Sequence, residues 1–206
     1  AKRMAEEIGA IHKVIHVDEL EGAGIENNPV NRCYLCKKYM FTKVKELAHS
    51  LGIFTILEGT NADDLKQYRP GTKAIQELVL HSPLLEANMT KKEIRELAAV
   101  YGLKAANKPS SPCLATRFPY HTLLNYEEMR KVEKIEDYLH ACGFYNVRAR
   151  IHNDIVRLEI DQDAFMKCMD KRQEIVLFIK ELGYDYVTLD LEGFRSGSQD
   201  IKLEEK

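Results

Sequence analysis

Three of the five cysteines have the spacing and setting of metal ligands. Cys33 and Cys36 stand three residues apart in Arg32-Cys33-Tyr34-Leu35-Cys36-Lys37-Lys38, so their thiols can meet on one side of a turn or of a first helical turn. A metal ion or an iron–sulfur cluster takes that geometry. Cys113 stands alone far downstream, in Ser110-Ser111-Pro112-Cys113-Leu114-Ala115-Thr116-Arg117. Three ligands with one position open suit chemistry at a metal, whereas four suit a structural site. A structural zinc site would need a fourth ligand, for which His121 is the candidate, and a redox pair at Cys33 and Cys36 also competes. Cys142 and Cys168 fall inside helical patterns and read as buried small apolar residues.

Two other groups carry chemistry. Glu58-Gly59-Thr60-Asn61-Ala62-Asp63-Asp64 is a polar turn after the apolar run 53–57, and in open α/β sheets ligands bind at that end of a strand. Its plain reading is a turn with an Asx cap. Its functional reading is ligand contact at that edge, where Asp63 or Asp64 could offer oxygen ligands to a hard cation such as magnesium. Arg148 and Arg150 alternate along a strand and so share one face. Arg157 lies on the partner strand, Arg117 follows Cys113, and Arg195 sits in a glycine-flanked loop. Guanidinium forks match phosphate and carboxylate, against the plainer reading of a solvated sheet face. Glu136, in the middle of a helix, reads by its position as a surface glutamate. His12, His16, His49, His81 and His140 show no common spacing, and His152 shapes a hairpin.

The elements that must position these residues alternate. Residues 1–9 read as a helix closed by Gly9, 12–17 as a strand, 19–31 as a loop, and 33–51 as a helix closed by Gly52. The run 53–57 suits the interior of a parallel sheet. Thr90-Lys91-Lys92-Glu93 is a capping box opening a helix to Tyr101. After a proline-containing loop at 108–120, Asn125 caps a helix to Cys142. Strands are expected at 147–151 and 155–160, a long helix at 163–182, and a last strand at 186–191. The fold class is α/β: a parallel-sheet Rossmann-like domain over 1–119, followed by a smaller α+β domain over 120–206.

The totals agree with an ordinary globular chain. There are 206 residues, 45% hydrophobic and 30% charged, with a net charge of -2. That balance offers no basic field for nucleic acid. An odd cysteine count with no signal peptide argues for a reducing cytoplasm, and no apolar run is long enough to span a bilayer.

The assembled motifs resemble the LarE family, ATP-dependent sulfur transferases of the PP-loop pyrophosphatase superfamily. The resemblance rests on Asn31 to Lys38, Glu58 to Asp64, Tyr68-Arg69-Pro70-Gly71, Cys113 to Tyr120, and Gly193-Phe194-Arg195-Ser196-Gly197, in that order along nearly the whole chain. It implies adenylylation of a carboxylate of pyridinium-3,5-dicarboxylate mononucleotide, then exchange of AMP for sulfur to give a thiocarboxylate that feeds the nickel-pincer cofactor of lactate racemase. It further implies a [4Fe-4S] cluster on Cys33, Cys36 and Cys113. In single-cysteine members the donor falls one position earlier, where this chain has Pro112, and that departure favours the cluster type. ATP and Mg2+ would meet Gly59, Thr60, Asn61, Asp63 and Asp64, and Arg69 would order that loop or meet a phosphate. Cys113 and Arg117 stand as catalytic, and Arg117, Arg148, Arg150 and Arg195 as ligands of the substrate's phosphate and carboxylates. The resemblance equally matches Glu136 to a position near the substrate or a metal.

The chain opens on Ala1 and contains no SGGxDS loop, the family's grip on pyrophosphate, so this polypeptide by itself is not expected to bind ATP tightly. The implied partner is a small-molecule nucleotide, with no nucleic acid and no membrane, and a homo-oligomer is left open. The rival readings are a PP-loop enzyme of tRNA thiolation and a non-catalytic zinc-binding module.

Overall fold

The computed structural model describes residues 1–66, 70–107 and 112–195. The chain forms two compact units, the first from residues 1–25 and 29–108, the second from 26–28 and 109–206.

The first unit is built on helices. α1 (Lys2–Glu7) is closed by Gly9 in left-handed backbone, φ +68°. α2 (Glu19–Gly22) is a single turn within the expected loop, where the Asp18 carboxylate accepts from the N–H groups of Leu20 and Glu21 at 3.1 and 3.2 Å. An N-cap of this kind stabilises even one turn by satisfying two orphan donors. α3 (Arg32–Ser50) carries the cysteine pair, and α4 (Gly71–Glu77) packs against it. At Gly71 a β-carbon would stand 2.7 Å from Cδ of the flexible Lys37 side chain and in ordinary contact with the Cys33 carbonyl at 3.5 Å. α5 (Pro83–Glu86) and α6 (Lys91–Val100) complete the unit. α6 opens on the expected capping box, with Thr90 N–H donating to Glu93 at 2.8 Å and Glu93 N–H to Thr90 Oγ1 at 3.3 Å.

The two strands expected in this unit are not formed. Residues 12–17 carry no ladder, and within 53–57 only Leu57 pairs, in one parallel bridge to His81. Two hydrogen bonds flank that bridge, Glu58 N–H to the His81 carbonyl at 2.8 Å and His81 N–H to the Ile56 carbonyl at 3.0 Å. An apolar run becomes a strand only where a neighbour takes up its backbone donors and acceptors. Phe54, 78% exposed, has no such cover.

The second unit follows the expected α-β-β-α-β order. α7 (Tyr126–Ala141) is capped by the Asn125 side chain, which accepts from Glu128 N–H at 2.8 Å. β1 (Val147–His152) and β2 (Ile155–Ile160) pair antiparallel, and β3 (Tyr186–Leu189) adds parallel to β2. The expected helix over 163–182 is divided. A 3-10 turn (Gln162–Ala164) leads into α8 (Phe165–Asp170), and Lys171, with φ -94° and ψ 7°, leaves helical backbone before α9 (Arg172–Glu181). The last strand is two residues shorter than expected, because the chain turns after Asp190 N–H bonds the Leu158 carbonyl at 2.9 Å.

Strand alternation sorts the sheet into two faces. Val147, Ala149, Ile151, Val156, Leu158 and Ile160 are buried on one side. Val132, Ile135 and Leu139 of α7 and Ile175 and Ile179 of α9, all buried, recur at helical spacing and complete this core. The other face carries Arg148, Arg150 and His152 of β1, Arg157 and Glu159 of β2, and Thr188 of β3.

Candidate active site

The arginine face is the most strongly built polar feature of the second unit. Arg148 is 7% exposed, Arg150 5% and Arg117 1%, so none of them lies on a solvated surface. Arg150 forks onto Glu159, Nε to Oε1 and Nη2 to Oε2, both at 3.0 Å, and Glu159 is wholly buried. Arg157 donates to the same carboxylate at 3.0 Å and reaches Asp190 at 3.5 Å. Arg195 pairs with Glu192 at 2.8 Å and lies 3.9 Å from Asp190. Arg148 donates to its neighbour's carbonyl at 2.6 Å, and its guanidinium lies 5.0 Å from the centre of the Phe194 ring. Burial, and then the nearby Arg117 charge, lower the pKa of Arg148.

A short 3-10 turn, Leu114–Arg117, brings the third cysteine and the fourth arginine to this face. The Cys113 carbonyl accepts from Thr116 N–H at 3.0 Å and from its hydroxyl at 2.7 Å. The Thr116 carbonyl in turn accepts from Arg150 at 2.6 Å. Arg117 forks onto Glu136 of α7, Nε at 2.6 Å and Nη2 at 2.8 Å, and donates to Thr116 Oγ1 at 2.6 Å. Glu136 also accepts from Ala149 N–H, on the open edge of β1, at 2.9 Å. One turn is therefore tied to a helix and to a strand edge through charge-assisted bonds, the strong kind.

Glu136 is thus buried, 8% exposed, and the surface reading of it is corrected. The signal was in the sequence: it lies four residues after Val132 and three before Leu139, on the apolar stripe of α7. Sequence reasoning missed Glu159, Asp190 and Thr116. Glu159 was legible as the residue that alternates with Arg157 on β2. Asp190 and Thr116 give no comparable local signal.

In the first unit, Cys33 and Cys36 lie at the start of α3, the first exposed and the second half-buried. Cys36 Sγ lies 3.7 Å from Glu19 Oε2 of α2, within reach of an S–H bond. Tyr34, between them, donates to Glu77 of α4 at 2.7 Å, and Lys38 reaches the same oxygen at 2.8 Å. Cys113, in the second unit, is exposed, and all five cysteines are thiols. Cys168 is buried, Cys142 half-buried, and burial pushes the Cys168 thiol up. Among the described residues no three His, Cys, Asp or Glu side chains gather as a metal-holding group. His121 is exposed with φ +64°.

The 58–64 loop is internally ordered. Glu58 accepts from Thr60 N–H at 3.1 Å, from the Thr60 hydroxyl at 2.8 Å, and from the Ser82 hydroxyl. Asn61 accepts from Asp63 N–H at 3.0 Å, an Asx turn, and Asp64 from Asn61 N–H at 3.1 Å. Asp63 accepts from Lys91 N–H of α6 at 2.9 Å. Gly59, Thr60, Asn61, Asp63 and Asp64 are therefore brought together in one turn. Tyr68, Arg69, Ser196 and Gly197 lie outside the described residues. Among the described residues no helix is long and apolar enough to cross a membrane.

No family model matches the chain. The sequence is 37% identical over 203 residues to the pyridinium-3,5-bisthiocarboxylic acid mononucleotide synthase of Lactiplantibacillus plantarum, covering 98% of this chain and 74% of that one. It is 36% identical over 199 residues to an uncharacterized protein of Synechocystis sp., covering 96% and 74%. An uncharacterized protein of Methanocaldococcus jannaschii is 32% identical over 184 residues, covering 89% and 70%.

Proposed function

Because the chain belongs to the family of the Lactiplantibacillus plantarum pyridinium-3,5-bisthiocarboxylic acid mononucleotide synthase, we propose that it is an ATP-dependent sulfur transferase acting on a pyridinium dicarboxylate mononucleotide. The observation that carries this reading is the turn from Cys113 to Arg117, whose Thr116 carbonyl accepts from the buried Arg150 and whose buried Arg117 forks onto Glu136. Burying three arginines is expensive and is weak evidence for stability, since well-packed apolar residues do as well or better. Planar forks held by carboxylates suit a ligand carrying phosphate and two carboxylates.

In this reading the first unit is a Rossmann-like, PP-loop ATP pyrophosphatase-type domain. Its ordered 59–64 turn meets ATP and Mg2+, with Asp63 and Asp64 as the oxygen ligands of the hard cation. A substrate carboxylate attacks the α-phosphate of ATP and releases pyrophosphate, and a sulfur anion then displaces AMP from the acyl adenylate. Arg148, Arg150 and Arg195 hold the substrate, while Arg117 fixes the Cys113 turn and offsets developing charge. Cys33, Cys36 and Cys113 are suited to an iron–sulfur cluster by donor type, since thiolates are its usual ligands and none of the three is in a disulfide. When bound, such a cluster supplies the sulfur. Cys33 and Cys36, three residues apart at the start of α3, and Cys113, at the head of the Leu114–Arg117 turn, would be the residues that hold it.

Iron and acid-labile sulfide are measured after anaerobic reconstitution of the chain and of Cys113→Ala. The expected result is about four irons per chain, with an absorbance lost in the variant. Zinc or bare thiols in both proteins would remove the cluster. Binding of nicotinate mononucleotide tests the arginine face separately. Arg148→Ala and Arg150→Ala should each weaken it by about tenfold or more, about 1.4 kcal/mol, and unchanged affinity would sink the substrate placement.

A further inference from the structure

Asn28 is fully buried, 0% exposed, and sits in left-handed backbone at φ +46°. Its side-chain nitrogen donates to the carbonyls of Pro119 at 2.8 Å and Phe118 at 3.1 Å, with the Ala115 carbonyl at 3.5 Å. Its own carbonyl accepts from His121 N–H at 3.1 Å. The neighbouring Glu26 carbonyl accepts from Leu124 N–H at 2.6 Å. A three-residue piece of chain, 26–28, is therefore built into the second unit around the turn that carries Cys113, Thr116 and Arg117.

The side-chain oxygen of Asn28 is buried without a hydrogen-bond partner. A buried orphan acceptor and a left-handed non-glycine backbone are both unfavourable, and they persist where the surroundings fix them for another reason. An apolar side chain would fill the same space and orphan nothing of its own. It would, however, take the amide donor away from the carbonyls of Phe118 and Pro119; the Pro119 carbonyl would keep Thr122 N–H at 3.3 Å, and the Ala115 carbonyl would keep Phe118 N–H at 3.3 Å. A short side chain with an N–H2 group supplies two N–H donors, one for each of the Phe118 and Pro119 carbonyls.

We propose that Asn28 is a positioning residue: its amide fixes the 113–119 turn so that Cys113 and Arg117 stand against the arginine face. The purpose assigned to the turn rests on the functional reading above, whereas the clamp itself does not. Aspartate at this position keeps the shape and the tolerance of left-handed backbone but turns donors into acceptors. Facing carbonyls in a buried site, its carboxyl can donate one bond while protonated and repels them once ionised. The variant is therefore switched by pH, while wild-type Asn28 cannot titrate.

The test is hydrogen–deuterium exchange of the full chain, followed for residues 114–121 and 147–160 and corrected for intrinsic rates. In Asn28→Gly, which keeps the backbone and removes the amide, 114–121 should exchange about tenfold faster while 147–160 stays protected. Asn28→Asp should show the same loss near about pH 8 and recover near about pH 5. Unchanged exchange in 114–121 would overturn the proposal, as would both segments loosening together. An Asn28→Asp loss that is equal at the two pH values would also overturn it, since a space-filling role has no such dependence. Nicotinate mononucleotide affinity, read as the ratio of Asn28→Asp to wild type, should fall over the same pH interval. A ratio flat across that interval would likewise overturn it. If the wild type binds no nicotinate mononucleotide, the functional reading fails and the exchange result still decides the clamp.

Discussion

Replacing Glu159 by glutamine probes the carboxylate on which the arginine face is built. Glu159 is wholly buried and holds Arg150 through two bonds of 3.0 Å and Arg157 through a third of 3.0 Å. Glutamine keeps the volume and one acceptor oxygen, but turns an N–H2 group toward guanidinium donors and removes the charge. Breaking one side of a buried pair costs about 3–5 kcal/mol, because the remaining ion stays buried and uncompensated. The Arg157 contribution to that figure is small, since its side chain is 33% exposed and water screens it. Most of the loss therefore belongs to Arg150, 5% exposed. A domain of about 100 residues loses about 4–8 °C of Tm per kcal/mol, so a fall of about 12 °C or more is expected. Urea denaturation supplies the free energy, and an unchanged slope confirms that the midpoint shift is a change of stability. Coupling Glu159→Leu to Arg150→Met should recover much of the loss, because the uncompensated charge goes with its partner. A loss below about 1 kcal/mol for Glu159→Gln, the scale of an exposed pair, would refute the reasoning.

Two further outcomes follow from single positions. Gly193→Ala should cost about 2 kcal/mol or more: φ is +71°, where a β-carbon is strained, and the new carbon would stand 2.9 Å from the Ile160 carbonyl. Thermal unfolding reads this, and an unaltered Tm would show that the 193–195 turn yields freely. His152 has its pKa held below the ordinary value by burial, then by Arg157 and Arg150. Folding favours the neutral ring, so its stability contribution is present above the unfolded pKa of about 6.5 and is lost as pH falls through the folded value. His152→Asn should flatten the Tm curve over that interval, and identical curves would place the ring in water.

Much of the candidate site was legible because it is written in short-range spacing. The CxxC pair on a helical start, the period of two that puts Arg148 and Arg150 on one face, the capping box at Thr90 and the N-cap at Asn125 need only local geometry. The α-β-β-α-β order of the second unit was readable for the same reason. Strands 12–17 and 53–57 were misread because composition states what a segment would bury, whereas pairing depends on what lies beside it. The division of 163–182 at Lys171 carried no glycine or proline to announce it.

The sequence by itself determined which residues could do chemistry: three thiols, a face of arginines and an acidic turn, each defined within a few residues of chain. Only the tertiary structure decided what each one meets. It paired Arg117 with Glu136 and Arg150 with Glu159, showed those charges to be buried, and brought Asn28 beneath a turn some 90 residues downstream. Burial and ion pairing are properties of contacts between distant segments. A buried charge is tolerated only where the fold supplies its partner, and that partner is fixed by packing and cannot be read from local spacing.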